Sequence, residues 1–174
     1  DNSWTSMNEA FAGCRLLQGN FTDAPDLTNV TDMSNMFFYG APPILNVPGF
    51  NQDISAWDVG NVKNMAGMFE STGFFNQDIG NWNVSNVENM QDMFKRTEIF
   101  NQDIGGWEVG NVKNMVSMFS LAKSFDQDIG NWNVGNVETM FRMFEDSNLS
   151  IENYDATLNG WSTQQLQNGV TFDG

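Results

Sequence analysis

The chain has 174 residues, 40% of them apolar, which is enough for one domain with a sizeable core and excludes a disordered chain. Its formal net charge of -15 argues against nucleic acid and anionic membranes as partners, because their phosphates would be repelled. The absence of histidine excludes serine triads, imidazole acid–base chemistry and histidine-ligated metals. No apolar run reaches the roughly 18 residues that a membrane span requires.

Residues 1–49 form an irregular N-terminal region. An apolar pattern at 4–11 recurs at 30–37, so two degenerate units are predicted here. A Pro-rich insertion at 39–49 separates them from the rest of the chain, because its prolines disfavour both helix and strand.

Four regular units of equal length follow, over residues 50–148. They begin at Phe50, Phe75, Phe100 and Phe125 and carry their tryptophans at Trp57, Trp82, Trp107 and Trp132. A fixed period of this length is typical of a solenoid, in which each unit buries its apolar side chains against its neighbours.

Within one unit, Ile54, Trp57 and Val59 have the L-x-x-L-x-L spacing of a leucine-rich-repeat strand. The apolar residues of 62–69 fall on one face of a short helix, with Asn61 placed to cap it. The sequence therefore predicts an α/β repeat solenoid, similar to leucine-rich repeats, with about six coils that each hold a short parallel strand and a short helix.

Residues 149–174 are predicted to close this solenoid. Ser150 is a suitable N-cap, and Tyr154, Leu158 and Trp161 form one apolar stripe. A capping helix over 150–161 would cover the last coil and complete a single domain over residues 1–174.

The repeat F-N-Q-D-I-x-x-W-x-V-x-N-V-x-x-M-x-x-M-F resembles that of a family first described in Mycoplasma surface lipoproteins and found in bacterial and microalgal surface proteins. Residues 149–161 are similar to the closing segment of many members, and residues 10–17 resemble the BspA-like leucine-rich repeats of bacterial surface antigens. The resemblance implies a leucine-rich-repeat-like solenoid, export to the cell surface or the extracellular space, and a role in adhesion or recognition.

One aspartate recurs in every regular unit, as Asp53, Asp78, Asp103 and Asp128. Stacked at about 5 Å, these carboxylates repel one another unless something compensates. No cofactor or metal is predicted, with calcium left as a possibility: the four carboxylates are either ligands for calcium or acceptors for backbone N–H groups at a chain corner. The lack of a contiguous D-x-D-x-D-G loop favours the second interpretation.

Polar side chains follow the solvent side of the predicted strands, where a solenoid commonly binds its partner. The candidate ligand-binding residues are Asp58, Asn81, Asn83, Glu108, Asn131 and Asn133. A merely solvated face is the alternative. The tryptophans fit a core position better than a sugar-binding platform. Candidate glycosylation sites, from N-x-S/T sequences, are Asn20, Asn29, Asn83 and Asn148.

No catalytic residue is predicted. The carboxylate pairs that a glycosidase would need recur once per unit, which a catalytic pair has no reason to do. We therefore expect a non-enzymatic extracellular or cell-surface protein that binds a protein or glycan on a cell or matrix surface. A structural subunit of a filament or coat, self-associating through the solenoid ends, is the alternative, and a carboxylate-dependent glycosidase is remote.

Overall fold

The computed structural model describes residues 4–14, 17, 23–40 and 49–172. These residues contain one helix, α1 (Ile151–Ser162), and no continuous strand or sheet. The predicted α/β leucine-rich-repeat-like solenoid, with a strand and a helix in each of about six coils, is therefore wrong. Most of the Pro-rich insertion, residues 41–48, lies outside the described residues.

Single parallel bridge pairs, rather than a sheet, hold successive units in register. The pairs are Ser6–Asp32, Asp32–Asn64, Asn64–Asn89, Asn89–Asn114, Asn114–Thr139 and Met140–Phe172. In the regular region the partners occupy the same position of successive units, so each unit lies directly on the next. The insertion falls between Asp32 and Asn64, which nevertheless pair, so it lengthens the connection without interrupting the stack.

The backbone of residues 65–71 explains why no helix forms there. Alternate N–H groups leave the unit and donate to the following one: Met65 to the Asn89 carbonyl, Gly67 to Gln91, Phe69 to Met93 and Ser71 to Lys95, at 2.8–3.0 Å. The N–H groups between them close tight turns within the unit, as from Met68 to the Met65 carbonyl. An α-helix would use these donors internally and leave none for a neighbour.

Asn61 accordingly does not cap a helix. Its side-chain N–H donates to the Thr28 carbonyl at 2.9 Å, and Asn86, one unit later, donates to the Gly60 carbonyl at 2.7 Å. This amide column therefore joins neighbouring units.

Left-handed backbone recurs at fixed positions of these turns. One row comprises Glu9, Asn35, Gly67, Asp92, Ser117 and Arg142, and a second comprises Gly13, Ser71, Arg96, Leu121 and Asp146, all with φ between 53° and 73°. Such a conformation costs an L residue about 1–2 kcal/mol and has no place inside an α-helix. The inter-unit hydrogen bonds offset this cost.

Replacing Arg96 by glycine should raise the free energy of unfolding by about 0.5–1 kcal/mol, because glycine adopts positive φ without strain. Arg96 has a φ of 59° and an exposed side chain. In an α-helix the same substitution would lower the free energy of unfolding by about 1 kcal/mol. Urea unfolding therefore distinguishes a left-handed turn from a helix by whether the variant is more or less stable than the wild type. The control is Glu98→Gly, at an exposed position without positive φ, which should not stabilise.

Phenylalanine columns form the centre of the stack. The rings of Phe11, Phe37, Phe69, Phe94, Phe119 and Phe144 lie one above another, with neighbouring centroids 5.6–5.8 Å apart. A second column of Phe50, Phe75, Phe100 and Phe125 packs beside it. In both columns the planes of neighbouring rings are nearly parallel. Each unit therefore completes its core only with a neighbour on either face.

The tryptophans of the four regular units are buried, and all but the first of them also bond neighbouring units together. Their indole N–H groups donate to the carbonyl of the isoleucine 28 residues earlier, in the pairs Trp82–Ile54, Trp107–Ile79 and Trp132–Ile104, at 3.0–3.1 Å. Trp161 of α1 makes the equivalent bond to the Ile129 carbonyl. The helix therefore supplies the side chain that a further unit would have placed there.

Trp57 is the exception, because its side chain is 5% exposed yet its indole N–H has no hydrogen-bond acceptor among the residues that the structure describes. We expect Trp107→Phe to cost about 1–2 kcal/mol more than Trp57→Phe. Both changes remove the same ring atoms, but only the first breaks a hydrogen bond, after which the Ile79 carbonyl keeps only the backbone N–H of Trp82 as a donor. Equilibrium urea unfolding measures the difference, and an equal cost would contradict the assignment.

Candidate ligand-binding surface

The four calcium candidates each close a tight turn of their own unit. Each carboxylate accepts the N–H two residues on: Asp53 from Ser55, Asp78 from Gly80, Asp103 from Gly105 and Asp128 from Gly130, at 2.8–3.0 Å. Hydrogen bonds from Ser55 also hold the pKa of Asp53 below its usual value. Across the described ranges, no three acidic or cysteine side chains come together to hold a metal ion.

A row of asparagines runs along the stack on the side where each unit begins. The side-chain oxygens of Asn51, Asn76 and Asn101 each accept the N–H of the equivalent residue in the following unit, at 2.8–2.9 Å. The fourth unit carries Asp126 instead. Its carboxylate accepts three hydrogen bonds, from the Ser150 N–H and hydroxyl and from the Asn153 amide, at 2.7–2.9 Å. Asp126 therefore fixes the start of α1 on the last unit.

Asp126→Ala should lower the free energy of unfolding by about 1–2 kcal/mol near neutral pH, because bonds to a charged acceptor are lost. Hydrogen bonds from the Ser150 N–H and hydroxyl lower the pKa of Asp126. Its contribution is therefore present above the unfolded pKa of about 3.9 and is lost as the pH falls through the lower folded pKa. Urea unfolding at pH 7 and in the acid range tests this, with Asp155→Ala, exposed on α1, as the control.

The predicted polar strip is exposed along one side of the stack. In its central column, Asp58, Asn83 and Asn133 each accept the N–H two residues on, at 3.0–3.1 Å. Glu108 occupies the same column, but its longer side chain makes no hydrogen bond or ion pair within the described part of the chain. Its carboxylate is therefore left for solvent or for a ligand.

Two adjoining shallow depressions lie on this strip. One has a volume of about 600 Å³ and is lined by Gly106, Glu108, Asn131 and Asn133 among others. The other, of about 400 Å³, is lined by Asn81 and Asn83 and shares Gly106 and Glu108. Five of the six predicted ligand-binding residues thus line these two adjoining depressions, and Asp58 lines neither.

Gly106 creates this opening and is not among the residues predicted from the sequence. The equivalent positions hold Ala56, Asn81 and Asn131, so the third unit alone lacks a side chain there. A Cβ added at Gly106 would meet no atom within 4 Å. We call the space around Gly106 and Glu108, with its flanking asparagines 81, 83, 131 and 133, the Gly106 notch.

Other polar positions lie apart from the notch or serve the stack. Lys113 and Glu88 form an exposed ion pair at 2.8 Å between the second and third units, which adds little stability. Of the candidate glycosylation sites, Asn29, Asn83 and Asn148 are exposed, and Asn20 lies outside the described residues. Asn83 accepts a hydrogen bond from the Ser85 hydroxyl at 2.7 Å.

Comparison with known proteins identifies a family that covers most of the chain. The profile of a family described as "Mycoplasma protein of unknown function, DUF285" matches residues 5–115 and 79–172. Searches of curated proteins and of solved structures gave no significant match. Within the described residues, no helix has the length and apolar character needed to cross a membrane.

Proposed function

The chain belongs to this Mycoplasma-type repeat family of unknown function, and from that premise we propose that it is a non-enzymatic surface protein acting in adhesion or recognition. The observation that carries the proposal is the Gly106 notch, where exposed amides and one unpaired carboxylate surround an opening. The resemblance of residues 10–17 to BspA-like repeats of surface antigens supports an extracellular or cell-surface location.

The chemistry of the notch favours binding over catalysis. Among its lining residues Glu108 is the one acidic side chain, whereas glycoside hydrolysis requires two carboxyl groups on opposite sides of the scissile bond. Amide groups that both donate and accept hydrogen bonds suit recognition of a polar surface on a protein or a glycan. The stacked units beneath hold these groups in fixed positions, which reduces the entropic cost of binding.

A protein and glycan array probed with the wild-type chain and with Gly106→Asn tests the proposal. The substitution gives the third unit the residue that its neighbours carry, into space that holds no atom, so the fold should persist while the notch is filled. We expect ligands that bind the wild type to lose at least about tenfold in affinity, because the filled notch excludes them.

The matched control is Ala56→Asn, the same position in the first unit and outside the notch, which should bind as the wild type does. Arrays with no ligand, or with ligands that Gly106→Asn binds equally well, would refute the proposed function.

A further inference from the structure

The carboxylate of Glu108 differs from the other side chains of its column because it has no partner in the parts of the protein that the structure describes. Asp58, Asn83 and Asn133 use a side-chain oxygen to close a turn of the chain. Glu108 does not, and no lysine or arginine lines the notch. A negative charge therefore stands in the opening without a counter-ion from the residues around it.

Such a charge selects a ligand with a positively charged hydrogen-bond donor. Glutamate accepts hydrogen bonds and donates none when ionised, and the exposed Asn81 and Asn131 amides on either side can accept further N–H groups. The net charge of -15 would also attract cationic partners over a distance. A protonated amine satisfies both the local and the long-range electrostatics.

The burial of the tryptophans favours an amine on a protein over an amine on a sugar. Sugar sites commonly offer an aromatic face, but Trp82 and Trp107, which line the depressions, are only 4% and 3% exposed. No ring face is therefore available for a pyranose to stack on. A ligand can therefore bind in the notch only through polar side-chain contacts, and these suit a flexible alkyl ammonium group.

We propose that the Gly106 notch binds the ε-ammonium group of a lysine on a partner protein, with Glu108 as its counter-ion and the flanking asparagines as hydrogen-bond partners. This inference rests on the proposed function and specifies the chemistry of its partner. A single exposed ion pair contributes little, so one lysine should bind weakly and the affinity should fall with added salt.

An NMR titration of the ¹⁵N-labelled protein tests the inference, with a tetralysine peptide blocked at both ends as the probe and its ε-acetylated form for comparison. We expect tetralysine to shift the amide signals of Gly105, Gly106 and Gly110, and the acetylated peptide to leave them unchanged. Glu108→Gln should weaken tetralysine binding about fivefold, as expected for the loss of one exposed ion pair. Glu98→Gln, an exposed carboxylate outside the notch, should change the affinity less than twofold, which separates a local effect from net charge.

Shifts spread over the acidic surface, or equal affinities of Glu108→Gln and the wild type, would overturn the inference. Tighter binding of a fully deacetylated chitosan tetramer than of tetralysine would place the amine on a glycan and overturn the choice of a protein lysine. If array ligands depend on Gly106 but not on Glu108, this inference fails while the proposed function stands. If no ligand depends on Gly106, the proposed function itself fails.

Discussion

Replacing Phe94 by alanine should lower the free energy of unfolding by about 4 kcal/mol, because it removes a buried ring and leaves a cavity. Phe94 has no exposed surface and stacks between Phe69 and Phe119, at 5.7 and 5.6 Å between ring centroids. It also lies 4.2 Å from Phe100 of the second column. One substitution therefore removes contacts across three successive units.

Phe74→Ala is the control, since that side chain is 37% exposed. It should cost about 1 kcal/mol or less, because little apolar surface is removed from a packed environment. Urea-induced unfolding of both variants measures the difference. Comparable losses would mean that the aromatic columns do not carry the stability of the stack.

Gly160→Ala should destabilise the protein by about 2–3 kcal/mol, although the same change in an exposed helix stabilises by about 1 kcal/mol. Gly160 lies in α1 directly against Gly130 of the last unit. An added Cβ would approach the Gly130 carbonyl carbon to 2.7 Å and its Cα to 2.8 Å, far inside van der Waals contact. Because both obstacles are backbone atoms, the helix must move off the unit and loosen Trp161.

Asn159→Ala, at the preceding exposed position of α1, should be neutral or slightly stabilising. Thermal unfolding of the two variants gives the comparison. Stabilisation by Gly160→Ala would show that α1 does not sit tightly on the last unit.

Side-chain positions were predictable from the sequence, whereas the backbone between them was not. The fixed period of the repeat places like residues above one another, and the phenylalanine and tryptophan columns follow from it. The C-terminal helix was also readable, because Ser150 caps a stripe that ends in Trp161, and the structure has α1 at Ile151–Ser162. A local pattern of this kind needs no knowledge of the neighbouring unit.

The predictions of a strand and a helix within each unit were wrong for one physical reason. The spacing of Met65, Met68 and Phe69 states which side chains face inward, and a helix or a run of tight turns can satisfy it. The choice is decided by N–H groups that find their acceptors in the following unit, as Met65 does at the Asn89 carbonyl. Periodicity carries no signal of such a bond.

The candidate site shows the same division. Side chains on the solvent face could be predicted, and Asn81, Glu108 and Asn131 do meet at one opening. Gly106 could not be reached by the same reasoning, because a missing side chain adds nothing to a polar pattern. Aligning the four units position by position would have found it, since the second and fourth units have asparagine at this position and the third has glycine.

Hydrogen-bond scalar couplings across the turn segment of the third unit, measured by NMR, test the stacked architecture most directly. We predict couplings from the Ser117 amide nitrogen to the Phe141 carbonyl carbon and from Phe119 to Met143, across bonds of 3.0 and 2.9 Å. A coupling from Phe119 to the Met115 carbonyl, four residues earlier, would instead show a helix within the unit and contradict the account.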